Sequence, residues 1–94
     1  MNAQEEVLDK MPRAAVGLEV RPAGAETLAY LPATGRVHVL NAFAARVLLR
    51  SDGATTISSM VDDIVEITGT EHERVARDVI AVLADFRTVG LLSF

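Results

Sequence analysis

The spacing of apolar residues changes from two to between three and four at Leu40-Asn41. Upstream, Val16, Leu18 and Val20 alternate with Gly17, Glu19 and Arg21, which predicts a half-buried strand over residues 16–20. Pro22-Ala23-Gly24 predicts a turn, and a second strand is expected from Glu26 to Leu31. It stops at Pro32, which lacks an amide donor and so cannot continue a central strand. Pro32-Ala33-Thr34-Gly35 predicts a hairpin turn into a third strand, Arg36 to Leu40. Val37 and Val39 fall on one face of that strand, with Arg36, His38 and Leu40 on the other. Both connections are too short for a parallel crossover, so the three strands are expected to be antiparallel.

Downstream the period is helical. Asn41 suits a helix cap, and Phe43, Ala44, Val47 and Leu48 follow on one face. Asp52-Gly53 predicts the stop. Thr55 or Thr56 can cap a second helix with an apolar stripe of Ile57, Met60, Val61, Ile64 and Val65, closed by Gly69 as a left-handed terminal residue. Thr70 and Glu73 have capping-box spacing, which predicts a third helix over 71–89. Its stripe is Val75, Val79, Val82, Leu83, Phe86 and Val89. Gly90 ends it, and Leu91-Leu92-Ser93-Phe94 is expected to fold back as an apolar tail or a very short strand. Residues 1–13 form a polar arm, flexible and with at most one helical turn around Val7 to Met11, ahead of a single domain over 14–94. A sheet with one apolar face and three helices with apolar stripes must cover one another. The expected class is therefore α+β, a three-stranded antiparallel sheet followed by three helices in a winged-helix-like arrangement.

Composition narrows what such a domain can do. Ninety-four residues support one modest core and little room for an enclosed active site. The absence of cysteine excludes disulfides, thiolate metal ligands and cysteine nucleophiles. No apolar run is long enough for a membrane span, and the first ten residues lack a signal-peptide core, so a cytoplasmic location is expected. His38 and His72, the two histidines, lie in no metal-ligand pattern, and no serine lies in a nucleophile elbow. Asp62, Asp63 and Glu66 read as a solvated helix face. The expectation is a protein that performs no catalysis and holds no cofactor or metal.

Charge separates two binding classes. Residues 51–94 carry eight acidic and three basic side chains, against a whole-chain charge of −4. A DNA-binding regulator remains the alternative for a helix-turn-helix succession. However, the helix expected from Ile57 has no basic residue, and the following one dilutes Arg74, Arg77 and Arg87 with Glu71, Glu73, Asp78 and Asp85. Peptide binding requires less: an exposed strand edge for main-chain hydrogen bonds and a neighbouring groove for side chains. The 36–40 strand is such an edge unless the tail covers it. Two copies of the chain pairing through that edge would form a homodimer.

From Leu31 to Leu92 the residues form a recognisable series. Leu31-Pro32 precedes a Gly-containing turn, Leu40-Asn41 is followed by Ala44, then come Asp52-Gly53, Ile57 with Met60, Asp78-Val79, Leu83 and Gly90-Leu91. In this order and spacing the chain resembles the PqqD-like family, the small proteins of the pyrroloquinoline quinone pathway and their stand-alone relatives in other peptide-modification systems. The resemblance implies recognition of the leader segment of a ribosomally made precursor peptide. The leader is then presented to a modifying enzyme, often a radical-SAM enzyme, or to a leader peptidase in the lasso-peptide branch. It also implies that the leader adds as a strand beside the third strand, in a groove shared with the third helix. Carried onto this chain, Arg36, Val37, His38 and Val39 supply the ladder, and Arg74, Arg77, Asp78 and Ala81 wall the groove. Leaders in such systems are commonly acidic, which makes Arg74 and Arg77 the implied charge partners. Leu40, Asn41, Ala44, Asp52, Gly53 and Gly90 are assigned to fold.

Overall fold

The computed structural model describes residues 3–94. In chain order the elements are α1 (Ala3–Leu8), β1 (Arg13–Ala14), β2 (Glu19–Ala23), β3 (Glu26–Leu31), β4 (Arg36–Leu40), α2 (Ala42–Leu49), α3 (Ile57–Thr68), α4 (His72–Thr88) and β5 (Leu92–Ser93). The expected three-stranded antiparallel sheet and the three helices after it are present. The sheet order is β2-β3-β4, and a second, two-stranded sheet joins β1 to β5.

The first long strand begins later than its alternation predicts. Gly17 adopts a left-handed φ of 82°, and the Leu18 amide donates to the Ala15 carbonyl at 3.2 Å, so residues 15–18 form a turn. Val16 is consequently 95% exposed instead of lying on a buried strand face. Pro22 and Ala23, expected in a turn, are the last residues of β2. Ala23 stands opposite Glu26, which leaves Gly24-Ala25 as the connection, with Gly24 at φ 65°. Proline is tolerated because β2 is an edge strand of the sheet.

The caps of the helical half are largely as expected. Asn41 Oδ1 accepts from the Ala44 amide at 2.8 Å and starts α2. Thr56, not Thr55, caps α3 by accepting from the Ser59 amide at 3.1 Å. Gly69 ends α3 in the left-handed conformation, its amide donating to the Val65 carbonyl. The capping box at Thr70 does not form. The N-cap of α4 is Glu71, with no side-chain cap bond, and the Thr70 amide is occupied by Thr68 Oγ1 at 3.2 Å. The local hydrogen bond from the end of α3 takes the amide that the Glu73 side chain would accept from in a capping box.

One core joins the two layers. It contains Ala29, Leu31 and Leu40 from the sheet, Val47 and Leu48 from α2, Ile57, Met60, Val61 and Ile64 from α3, and Val75, Val79, Leu83 and Phe86 from α4. Within the α4 stripe Val82 is only half-buried and Val89 is 40% exposed, while Ala76 is buried. Ala76 extends the buried face sideways, where small size allows close helix packing.

The first residues are tied to this core at several points. Residues 1–2 of the expected arm lie outside the described residues. In α1, Val7 and Leu8 pack against the core, and Pro12 is fully buried. The Lys10 carbonyl accepts from the Ile57 amide at 2.9 Å, and the Pro12 carbonyl from the Gly53 amide at 2.8 Å. At the other end of the chain Leu91 and Leu92 are buried, and β5 pairs with β1 in the register Arg13↔Ser93 and Ala14↔Leu92. The tail is thus a short strand, joined to the amino-terminal segment and not to the three-stranded sheet.

Candidate functional site

Because β5 is engaged with β1, no described strand pairs with the outer edge of β4. The edge is formed by five residues whose side chains alternate strictly. In the β3–β4 register Leu40 stands opposite Thr27, His38 opposite Ala29 and Arg36 opposite Leu31. Ala29 and Leu31 are buried, so this row faces the helices. Arg36 at its open end is exposed, His38 is half-buried, and Leu40 is buried. The row therefore runs from a solvated cation to an aliphatic core residue. The His38 Nε2 atom is shielded from solvent and lacks a hydrogen-bond partner among the described residues.

The other row faces away from the helices. Val37 and Val39 are 56% and 60% exposed, opposite Tyr30 and Leu28. Glu19 and Arg21 of β2 stand across Tyr30 and Leu28 on the same face and pair with one another at 3.7 Å. Together Glu19, Arg21, Leu28, Tyr30 and Val37 line a shallow hollow of about 310 Å³. The sequence places Val37 and Val39 on one face, and the alternation of Leu28 and Tyr30 with buried Ala29 and Leu31 adds the β3 side of the same outer apolar face.

Arg74, Arg77, Asp78 and Ala81 occupy positions i, i+3, i+4 and i+7 of α4 and are all exposed on its flank. The buried residues Val75 and Val79 lie beside them and hold the helix to the core. Arg74 and Asp78 meet Phe43, Ile64 and Val75 around a cavity of about 260 Å³. Phe43 stands three residues beyond the end of β4, in the first turn of α2. It lines this cavity although its helical spacing reads as an ordinary core position, and no residue of β4 is part of the lining. Arg77 and Ala81 share the flank but do not line this cavity. With Thr68 and Thr70 completing the lining, its wall combines an aromatic ring, aliphatic side chains, two threonines and one charge of each sign.

The electrostatics give no support to a DNA-binding surface: α3 carries no Lys or Arg, and the three arginines of α4 are interspersed with Glu73, Asp78 and Asp85. Asp62 contacts His72 Nε2 at 3.2 Å, and Asp63 contacts Arg50, so two carboxylates of the acidic helix face are engaged in side-chain pairs. No group of three His, Cys, Asp or Glu side chains that could hold a metal ion occurs among the described residues. None of the helices described is long and apolar enough to cross a membrane.

Comparison with known proteins bears on this geometry. Two solved structures share the fold. One, described as TbiB1 in complex with the TbiA(beta) leader peptide, is 18% identical, with a TM-score of 0.77 over 86% of this chain and 94% of that one. The other, described as lasso peptide synthetase B1 complexed with the leader peptide, is 15% identical, with a TM-score of 0.79 over 89% of this chain and 99% of that one. No curated protein matches the chain. The family pattern of Coenzyme PQQ synthesis protein D (PqqD) matches residues 26–92, from the first residue of β3 to the first of β5, and the chain belongs to the PqqD family.

Proposed function

We propose that this protein binds the leader segment of a ribosomally synthesised precursor peptide by strand addition along β4, and presents the attached core to a modifying enzyme or a leader peptidase. The protein itself performs no chemistry and works in the cytoplasm. The observation that carries the reading is the unpaired edge of β4, in a chain of the PqqD family whose fold is shared with two proteins solved with leader peptides bound. An edge of this kind offers a peptide main-chain hydrogen bonds, while side-chain rows on its two faces give selectivity.

Each expected residue has a role in this reading. Arg36, Val37, His38 and Val39 supply the ladder, and the α4 flank of Arg74, Arg77, Asp78 and Ala81 forms the opposing wall. The cavity at Phe43 receives one side chain of the leader. The enzyme served is a radical-SAM enzyme, another peptide-modifying enzyme or a leader peptidase. Two copies pairing through β4 would occupy the same edge, so leader binding and that form of homodimer exclude one another. The test is a titration of isotope-labelled protein with the leader of the precursor encoded beside it. Amides of 36–40 and 71–82 should shift, and a saturating titration that moved neither segment would reject the reading.

A further inference from the structure

The Nε2 atom of His38 is a buried polar group without a hydrogen-bond partner among the described residues, on the strand proposed to receive a peptide. Buried polar atoms are nearly always paired, and leaving one unpaired is unfavourable. Its strand neighbours do not relieve it. Ala29, directly across on β3, offers only a methyl group, and Leu40 on the same side is aliphatic. Arg36, two residues away on that side, is exposed and can only donate. One lateral side of His38 is claimed by β3, and the other is the free edge.

From this arrangement we infer that His38 is a specificity-determining residue that selects a side-chain carboxylate in the bound peptide, its Nε2–H donating to the carboxylate oxygen. The inference rests on the reading of β4 as the peptide edge and adds the class of side chain recognised there. A strand laid beside β4 places alternate side chains on the helix-facing side, and directly opposite residues have Cβ atoms about 4.5–5.5 Å apart. The peptide residue across from His38 therefore lies beside its side chain, and the inferred contact requires the imidazole, whose Nε2 is covered in the free protein, to turn toward that residue on binding. A carboxylate is favoured over an amide because a hydrogen bond to a charged acceptor is the stronger one. It is also favoured because the Arg36 guanidinium lies on the same face of the strand. The preferred ligand is an extended peptide with Asp or Glu at one helix-facing position and apolar side chains at the flanking positions, which lie beside Val37 and Val39.

The experiment uses the full chain and the synthetic leader peptide of the precursor encoded beside it, together with variants in which each Asp and Glu of that peptide in turn becomes Ala. The imidazole nitrogens of labelled protein are followed by NMR, and affinities are measured for wild type and His38→Phe. Saturation with the leader should shift the Nε2 resonance. One peptide variant should lose about tenfold in affinity for wild type and less than about twofold for His38→Phe, the signature of direct coupling. If amides of 36–40 shift while Nε2 does not, the assignment is wrong and strand addition survives. Equal losses for both proteins across all peptide variants overturn it in the same way. If the amides of 36–40 do not move, strand addition fails and takes this assignment with it. The wild-type Nε2 measurement decides even if His38→Phe does not fold.

Discussion

Ser93 stands in register with Arg13, so the last residues of the chain close a two-stranded sheet with the amino-terminal segment, and the outer edge of β4 has no strand partner among the described residues. The Ala15 amide reinforces the closure by donating to the Leu91 carbonyl at 2.8 Å.

Leu91 anchors that closure and is completely buried. Leu91→Ala removes buried apolar volume and loosens the attachment of β5 to α4 and β1, and truncations of this kind destabilise by about 2–5 kcal/mol. Chemical denaturation should show a loss within that range. A loss below about 1 kcal/mol would mean that the tail is not part of the cooperative core.

How much of this could be read from the sequence depended on whether the signal was local. Asn41, Thr56 and Gly69 act on groups within four residues of themselves; Asn41 and Gly69 were legible as caps, and Thr56 as one of two adjacent candidates with Thr55. The hairpin from β3 to β4 was equally legible, since its turn lies between two alternating runs. The pairing of Arg13 with Ser93 joins opposite ends of the chain, and nothing in either segment names its partner. Val16 misled because its alternation with Leu18 was real, while the φ of Gly17 that breaks the strand is a conformational choice that glycine permits without announcing. Within the candidate site, the edge was accessible from period and topology, whereas the α4 flank was reached only through the family resemblance. The unpartnered nitrogen of His38 and the contribution of Phe43 to the cavity were accessible from neither, because both depend on three-dimensional packing.

Gly53 separates conformational strain from crowding. It has a φ of 77°, and a Cβ built there would lie 2.6 Å from the Arg13 guanidinium. The guanidinium is the far end of a flexible, exposed side chain and can swing away, whereas the backbone angle cannot relax while the Gly53 amide donates to the Pro12 carbonyl. Gly53→Ala should therefore destabilise by about 1–2 kcal/mol, the penalty of a left-handed non-glycine residue. Adding Arg13→Ala should recover little of it. Recovery of most of the loss in the double variant would show that crowding by Arg13 is the dominant cause.

The Asp52 carboxylate gives the fold one acid-sensitive point. Its pKa is held below the ordinary value of 3.8, chiefly by the hydrogen bond from the Ala54 amide and then by that from the Thr55 hydroxyl. A depressed carboxylate stabilises the folded state fully above the unfolded value, and that contribution disappears as pH falls through the folded value. The chain should therefore lose this stabilisation only below about pH 4, whereas Asp52→Ala should lack it at neutral pH and show a flatter acid limb. Carbon-detected NMR titration of the Asp52 carboxyl group checks the direction. A midpoint at or above the ordinary value would contradict it.

Arg74 and Arg77 test the charge of the α4 wall. Both are exposed and lie on one flank of the helix, with Arg74 at the cavity that also involves Phe43 and Asp78. Exposed charges contribute little to stability, so replacing both by Glu should leave folding nearly unchanged while reversing the local potential met by an incoming peptide. For an acidic leader the double variant should bind at least tenfold more weakly, about 1.4 kcal/mol, and the difference should shrink as salt is raised. Association-rate measurements should account for part of the effect, because charges at a groove rim steer encounter. Unchanged affinity at low salt would remove Arg74 and Arg77 from the binding surface. Strand addition along β4 would then have to draw its selectivity from the two side-chain rows of the edge itself.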